Sequence, residues 1–402
     1  MARVPNLRHL RLFSLTARHR SGRRAAEEAH LSQPAVAQAI ASLERQFGCQ
    51  LFERRTTGMF LTPQGRALCA RIDRALDLLA LASERVAAES GRTAAKSPPI
   101  ERLVSAGQLS ALVAVVRSGG FSSAAAELGQ AQSSVHRAAR SLEQLVGAPL
   151  LRHMGSGVEP TPLGADLANI AGRALREIEA GFGETKADRA QEAQLRIGAL
   201  PLAQAAILPE ALVTVGERFP GAVLSVMDAP YPTLLNALRL GDIDVIVGAL
   251  RNPAPASDVV EELLFFDRRL VVCRAGHPLT KRGHLDVSDL APYDWIVPRK
   301  GTALRLLFDS VVASAIGERP RRMIETDSFV VLRGLLRLSD ALAFVSRRRI
   351  KAERAEGEMA VLPVELRGCQ RAIGLTTRRD WHPSGLQASM VETLRSAVLQ
   401  QA

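Results

Sequence analysis

The 402-residue sequence predicts a multidomain protein: two all-α modules, each with a two-stranded wing and a long linker helix, followed by an α/β domain. Three observations predict it. The segment HLSQPAVAQAIASLE at 30–44 returns as GQAQSSVHRAARSLE at 129–143, 99 positions later. The same offset, without a gap, matches Leu10 with Leu109, Gln33 with Gln132, Gly48 with Gly147, Thr62 with Thr161 and Gly65 with Gly164. A register held that long is an internal duplication. Beyond Leu195 the pattern changes to alternating strand-like and helix-like runs, the mark of an α/β domain with largely parallel strands.

In the first copy, Asn6 is placed to cap a helix that runs to about Arg18, with Leu7, Leu10 and Phe13 at helical spacing. A short helix over 23–29 follows. Ser32 caps a third helix, with Pro34 in the first turn, where a proline costs little. On that helix Val36, Ile40, Leu43 and Phe47 share one face, and Pro34, Gln38, Ala41 and Arg45 the other. CQLFERRTTGMFLT reads as the wing. Thr62 and Pro63 start a long helix whose stripe is Leu68, Ile72, Leu76, Leu79 and Val86, a face in need of a partner.

The second copy repeats this plan with a different surface. Its third helix shows Ser133, Arg137, Arg140 and Gln144, and His153 and Met154 replace Arg54 and Arg55 of the wing. The helix after Thr161 carries Leu167, Ile170, Leu175 and Ile178. Gly22 stands where Phe121 packs in copy two, so a looser corner is expected in copy one. The linkers SGRTAAKSPP and GETKADRAQEAQ divide the chain into 1–90, a linker 91–99, a second module 100–182, a linker 183–193 and a domain 194–402. In that last domain LRIGAL, AVLSVMD, DIDVIVGAL, RLVVCR, DWIVP, RMIET, ALAFVS, MAVLP and AIGLTTR read as strands. TALRLLFDSVVASAI and SFVVLRGLLRL read as helices between them.

The net charge of +11 favours a polyanionic partner. Residues 1–90 hold 14 arginines against 8 acidic side chains, whereas 100–180 hold 7 of each. The four cysteines have neither zinc nor disulfide-framework spacing and are expected reduced and buried. Of eight histidines, His277, His284 and His382 lie in the last domain, and none is spaced as a metal pair. His277, in AGHPL, looks structural. No G-x-S-x-G, Walker loop or carboxylate cluster appears, so ligand binding without catalysis, metal or cofactor is expected. MARVPNLRHLRLFSL has no signal-peptide pattern and no run of 18 apolar residues exists, which places the chain in the cytoplasm and off the membrane.

AAEEAHLSQPAVAQAIASLERQFGCQLFERRTTGMFLTPQG resembles the winged helix-turn-helix of LysR-type transcriptional regulators. LRIGALPLAQAAILPEALVTVGERFPG, LLNALRLGDIDVIVGAL and RLVVCRAGHPL resemble that family's effector domain, a type 2 periplasmic-binding-protein fold of two lobes. The family usually carries one such headpiece, so 100–182 is an addition. The resemblance implies double-stranded DNA, a small-molecule effector and RNA polymerase as partners, in a homodimer or homotetramer. In copy one, Gln38 suits adenine, Ser32, Gln33 and Pro34 sit at the helix start near phosphates, and Arg45, Arg54 and Arg55 suit the backbone. In copy two, Arg137 and Arg140 would take that role; the rival reading makes copy two a scaffold that only pairs subunits.

The effector turns implied by the family map to Leu200, Pro201 and Leu202, to Ala249 and Leu250, to Lys300 and Thr302, to Ser328, and to Ser346. Hydroxyls and amides at helix starts favour an anionic or hydroxylated metabolite. An enzyme or transport receptor of the same two-lobed fold, joined to a dimerisation module, is the alternative.

Overall fold

The computed structural model describes residues 4–89, 100–155, 157–185, 193–200, 203, 207–251, 256–317, 320, 322–354 and 358–399. The expected linker 91–99 therefore lies outside the described residues, as does most of 183–193. The chain folds as two units: Met1–Gly198 with Val215–Val245 and Asp380–Ser389, and Ala199–Thr214 with Ile246–Arg379 and Met390–Ala402.

Both copies of the duplicated module lie in the first unit. Copy one is α1 (Leu7–His19), α2 (Gly22–Glu28), α3 (Gln33–Phe47), the wing β1 (Phe52–Arg55) and β2 (Gly58–Leu61), and the long α4 (Pro63–Glu89). After a short α5 (Ile100–Leu103), copy two follows as α6 (Ala106–Ser118), α7 (Phe121–Leu128), α8 (Gln132–Val146), β3 (Leu151–Met154), β4 (Gly157–Pro160) and α9 (Pro162–Thr185). The last helix runs three residues into the expected linker. The Asn6 side chain caps α1 by accepting from the Arg8 N–H at 2.9 Å. Val36, Ile40, Leu43 and Phe47 of α3 are all buried, as their spacing predicts.

The geometry explains why SLE and TP-x-G are written twice. Glu44 accepts a hydrogen bond from the Leu51 N–H at 2.9 Å, and Glu143 does the same for Leu150 at 2.9 Å. The Thr62 hydroxyl donates to the Gln50 carbonyl and accepts from the Gly65 N–H, and Thr161 repeats both bonds with Pro149 and Gly164. These residues tie the third helix and the linker helix to the start of the wing. They are structural, and their repetition preserves a fold rather than a contact surface.

The expected loose corner in copy one is closed. The Met59 thioether lies 3.7 Å from where a Cβ on Gly22 would stand, so it covers the place that Phe121 fills in copy two. Both corners keep the same tether, Met59 N–H to the Arg20 carbonyl and Val158 N–H to the Gly119 carbonyl, each 2.9 Å. Arg20 adopts a left-handed φ of 52° to make it, where copy two uses a glycine.

In the same unit β5 (Gln194–Ala199) lies beside β6 (Val223–Asp228). The helix Tyr231–Leu240 packs on α9, with Gly172 against the Leu240 backbone and Arg117 forking onto Asp242. That packing places Val215–Val245 in the first unit.

The second unit is built on a sheet ordered β10 (Met323–Glu325), β9 (Trp295–Val297), β11 (Leu342–Ser346), β8 (Val259–Arg274), β13 (Gln370–Arg378), β7 (Val245–Ala249). The short β12 (Met359–Val361) pairs with β8. Pairs β10–β9 and β11–β9 are parallel, but β8 runs antiparallel to β11, β12 and β13, and β13 to β7. The sheet is thus mixed rather than largely parallel. Trp295, Phe308 and Phe344 centre a core on one side of this sheet.

Among the described residues no helix is long and apolar enough to cross a membrane. All four cysteines are free, with Cys69, Cys273 and Cys369 buried. Burial, then Asp73 beside it, pushes the Cys69 thiol up to about 12, and burial pushes Cys273 up to about 11. A thiol that is not a thiolate is a poor nucleophile. Maleimide treatment of the native chain at pH 7.5 is therefore expected to leave Cys69 and Cys273 unmodified, read by peptide mass. Rapid labelling of either would contradict this environment.

Candidate nucleic-acid interface and effector site

The α3 helix buries one face and leaves Ser32, Gln33, Pro34, Gln38 and Arg45 exposed on the other. Ser32 occupies the cap position in extended conformation, but its side chain makes no cap hydrogen bond. The expected side-chain cap is absent: Pro34 has no N–H to give, and the Ala35 N–H donates to the Ser32 carbonyl at 3.1 Å. The hydroxyl is left facing solvent at a helix N-terminus, where backbone N–H groups attract phosphate. In the wing, Arg54 and Arg55 are exposed on β1. Arg55 is held: it pairs with Glu53 at 2.7 Å and lies over the Phe60 ring, as Arg20 does. That arrangement sets the wing's guanidinium at a fixed place but partly neutralises it.

On α8 an open hollow of about 680 Å³ is lined by Gln132, Ser133, His136, Arg137 and Arg140. Arg140 reaches Glu143 at 2.9 Å.

In the second unit the expected effector residues fall into three groups. Leu200 lies against Gly248, next to Ala249, and the Leu250 N–H donates to the Ala372 carbonyl. Pro201 and Leu202 lie outside the described residues. Lys300, Thr302 and Ser328 sit on neighbouring loops, since the Thr302 hydroxyl donates to Arg299 O and Arg299 binds Asp327 at 2.7 Å. Thr302 also caps the helix Ala303–Phe308 through the Arg305 N–H, and Ser328 caps Phe329–Leu338 through Val331. Ser346 is fully buried and donates to Asp267 at 2.8 Å. The hydroxyls of Thr302 and Ser346 are thus already used within the fold.

The sequence reading missed a cluster of arginines. Asp267 and Arg269 on β8 are buried, and the Arg269 Nε lies 3.2 Å from Asp267. Arg371 on β13 is the cross-strand partner of Asp267. Burial, then the charges of Arg251 and Arg269, holds the Arg371 guanidinium down at about 10. Burial also raises the Asp267 carboxyl against the pull of Arg269. Arg251 and Arg269 thus bring two further guanidiniums to bear on Arg371, while Asp267 pairs with Arg269 and Ser346. The signal was an arginine inside an apolar strand, a residue seldom buried unless paired. His277, by contrast, is structural as expected: fully buried, it accepts from the Leu279 N–H and meets the Asp340 carbonyl, and burial pushes its pKa down.

A winged helix-turn-helix module joined to a mixed α/β ligand-binding domain defines a transcription regulator. The bacterial regulatory helix-turn-helix model of the lysR family matches residues 7–66 and again 106–165, and the LysR substrate-binding domain model matches 188–399. The chain is 33% identical over 400 residues to the HTH-type transcriptional regulator GalR of Pseudomonas putida, covering 99% of each. It is 29% identical to PcaQ of Agrobacterium fabrum over 72% of this chain and 93% of that one. Among solved structures, a full-length cysteine-to-aspartate variant of OxyR from Pseudomonas aeruginosa aligns at a TM-score of 0.56 and 20% identity over 73% of this chain and 94% of its own. ArgP of Mycobacterium tuberculosis aligns at 0.56 and 22%, over 72% and 96%. The chain belongs to the LysR family of transcriptional regulators, with a DNA-binding module and an effector-binding domain. The relatives named here are regulators, not enzymes. GalR spans the whole chain, while the others leave uncovered about a quarter, the length of one winged module.

Proposed function

We propose that copy one reads double-stranded DNA through α3, and that the chain's output is set by an anionic or hydroxylated metabolite in the second unit. The observation that carries the first half is the exposed polar face of α3, opposite its buried apolar one. Gln38 pairs with adenine, Ser32, Gln33 and Pro34 seat the helix start on phosphates, and Arg45, Arg54 and Arg55 hold the backbone. The effector is held by residues among Leu200, Pro201, Leu202, Ala249, Leu250, Lys300, Thr302, Ser328 and Ser346. The arginine cluster at Arg371 favours a carboxylate among metabolites. The protein works in the cytoplasm as a homodimer or homotetramer, with RNA polymerase as a further partner.

Gln38→Ala is expected to cost about 1–3 kcal/mol at one base pair and to relax preference there. A binding-site scan with randomised duplexes measures it. Unchanged affinity and unchanged base preference would remove Gln38 from the interface. For the effector loops, Thr302→Val is expected to keep most of any thermal shift produced by organic acids, because the Thr302 hydroxyl is already spent on Arg299 and Arg305. Complete loss of the shift, with the fold intact, would place that hydroxyl on the ligand instead.

A further inference from the structure

The linker helices α4 and α9 pack along each other within one chain. Their buried stripes are equivalent at the 99-residue offset: Leu68 with Leu167, Ile72 with Ala171, Ala75 with Ala174, Leu79 with Ile178. Steps of four, three and four residues are those of a helix pair that buries one seam. The seam is tight. A Cβ on Gly181 would come 2.6 Å from Leu68 Cδ1, and Phe47 stacks on Phe182 with ring centroids 4.1 Å apart. Glu177 of α9 takes both Arg71, at 3.1 Å, and Arg74, at 3.0 Å, of α4. Leu43, Phe47 and Leu68 of copy one share a single core with Leu142, Val146 and Leu167 of copy two. The face that the sequence left in need of a partner finds it in the same chain.

The other half of the observation is the α8 surface. Residues 100–180 balance seven arginines with seven acidic side chains, but four of the acidic ones are consumed inside the fold. Glu127 pairs with Arg117, Glu177 with Arg71 and Arg74, and Glu179 with Arg176. Glu143 is bound to the Leu150 and Leu151 N–H groups as well as to Arg140. Those pairs also take up Arg117, Arg176 and Arg140, so the balance stays even, but the fold gathers Arg137 and Arg140 beside Ser133 and His136 on one exposed face. The fold beneath it repeats the corner bonds of copy one, Glu143 to the Leu150 N–H and Thr161 to Pro149 and Gly164.

We propose that one chain is by itself a two-headed DNA-binding unit: α4 and α9 pair within the chain, and the α8 face of Ser133, Arg137 and Arg140 takes a second segment of double-stranded DNA. The proposal rests on the reading that α3 binds DNA. Any homodimer or homotetramer is then joined through surfaces other than the α4–α9 seam, which is already filled.

The test uses the full chain and a duplex carrying a sequence selected by the wild-type protein. Each phosphate neutralised adds about −0.9 to the slope of log affinity against log salt. Arg137→Ala with Arg140→Ala is expected to make that slope shallower by about 2 per chain bound. It should also shorten the nuclease footprint by one segment, while Gln38→Ala keeps the footprint length and relaxes base preference in the other segment. An unchanged slope and an unchanged footprint in the double variant, with the wild type still binding, overturn the second head and leave the reading of α3 intact. No wild-type footprint on any duplex overturns the reading of α3 itself. For the seam, Leu68→Cys with Gly181→Cys, in a Cys49→Ser, Cys69→Ala background, is expected to oxidise to a species of single-chain mass on a non-reducing gel. A product of two-chain mass would show the helices paired between chains and overturn the self-paired unit.

Discussion

Replacing Gly164 by alanine is expected to unfold the second winged module at a temperature more than about 10 °C lower, a loss of about 3 kcal/mol. Helix propensity alone argues the reverse, since alanine in place of glycine inside a helix is worth about 0.5–1 kcal/mol. The sign is set by what stands opposite. A Cβ at Gly164 would fall on the Leu150 carbonyl, which is backbone and anchored at both ends. Its neighbour bonds are the Thr161 N–H to the same carbonyl at 2.9 Å and Glu143 to the Leu150 N–H. None of these can yield without releasing the wing. Gly107→Ala is the control, because the space around it is open and α6 should gain slightly. The measurement is thermal unfolding followed by circular dichroism at the helix band. Of the two tryptophans, Trp381 is flanked by Asp380, which pairs with Arg173 of α9, and by His382, whose carbonyl accepts from Arg71 of α4, so its fluorescence serves as a second reporter. An unshifted first transition in Gly164→Ala would show that the helix start slides away from the wing at no cost.

The second large effect concerns Arg371. Its guanidinium is held down at about 10, first by burial and then by Arg251 and Arg269. A cation whose folded-state pKa is depressed destabilises the fold wherever it is charged. That penalty is present below pH 10 and is relieved only as pH rises through 10 toward the ordinary guanidinium value. At 1.36 kcal/mol per pH unit it amounts to about 3 kcal/mol at neutral pH. Arg371→Met keeps the aliphatic stem and removes the charge. The ligand-free variant is therefore expected to melt higher than the wild type at pH 7. A carboxylate seated among the three guanidiniums relieves the same penalty, so carboxylates that raise the wild-type melting temperature should lose most of that effect in the variant. A screen of aliphatic and aromatic carboxylates by thermal shift, on both proteins, reads both expectations. A lower melting temperature together with a full carboxylate shift would place the anion elsewhere.

The duplication was legible because it is carried by chemistry that acts over a few residues. Glu44, Thr62 and Gly65 serve the local corner between helix and wing, so the second set, Glu143, Thr161 and Gly164, announced a second corner of the same kind. The face of α3 was legible for a similar reason: a period of 3.6 residues fixes which side chains are buried wherever the helix goes. What was not legible depended on distant neighbours. The stripe of α4 showed only that apolar surface had to be covered, and could not say that residues 99 positions later would cover it. Met59 filling the corner at Gly22 is a contact across the module with no pattern of its own. The arginine cluster needs β8 and β13 in one particular register, Asp267 against Arg371, over about a hundred intervening residues. Thr302 and Ser346 read as ligand groups by type, whereas their bonds to Arg299 and Asp267 are properties of the assembled loops.

The filled seam between α4 and α9 bears on what kind of operator this protein can specify. Identical subunits related by a two-fold axis see the same bases on both sides, so their targets must be inverted repeats. Two heads joined in one polypeptide are under no such constraint. Here one presents Gln38 with two wing arginines, and the other presents Arg137 and Arg140 with His153 and Met154 in the wing. Each can drift without the other. A promoter with unlike half-sites would then be bound in one orientation only, and the polarity of the site would be written in the order of the modules along the chain.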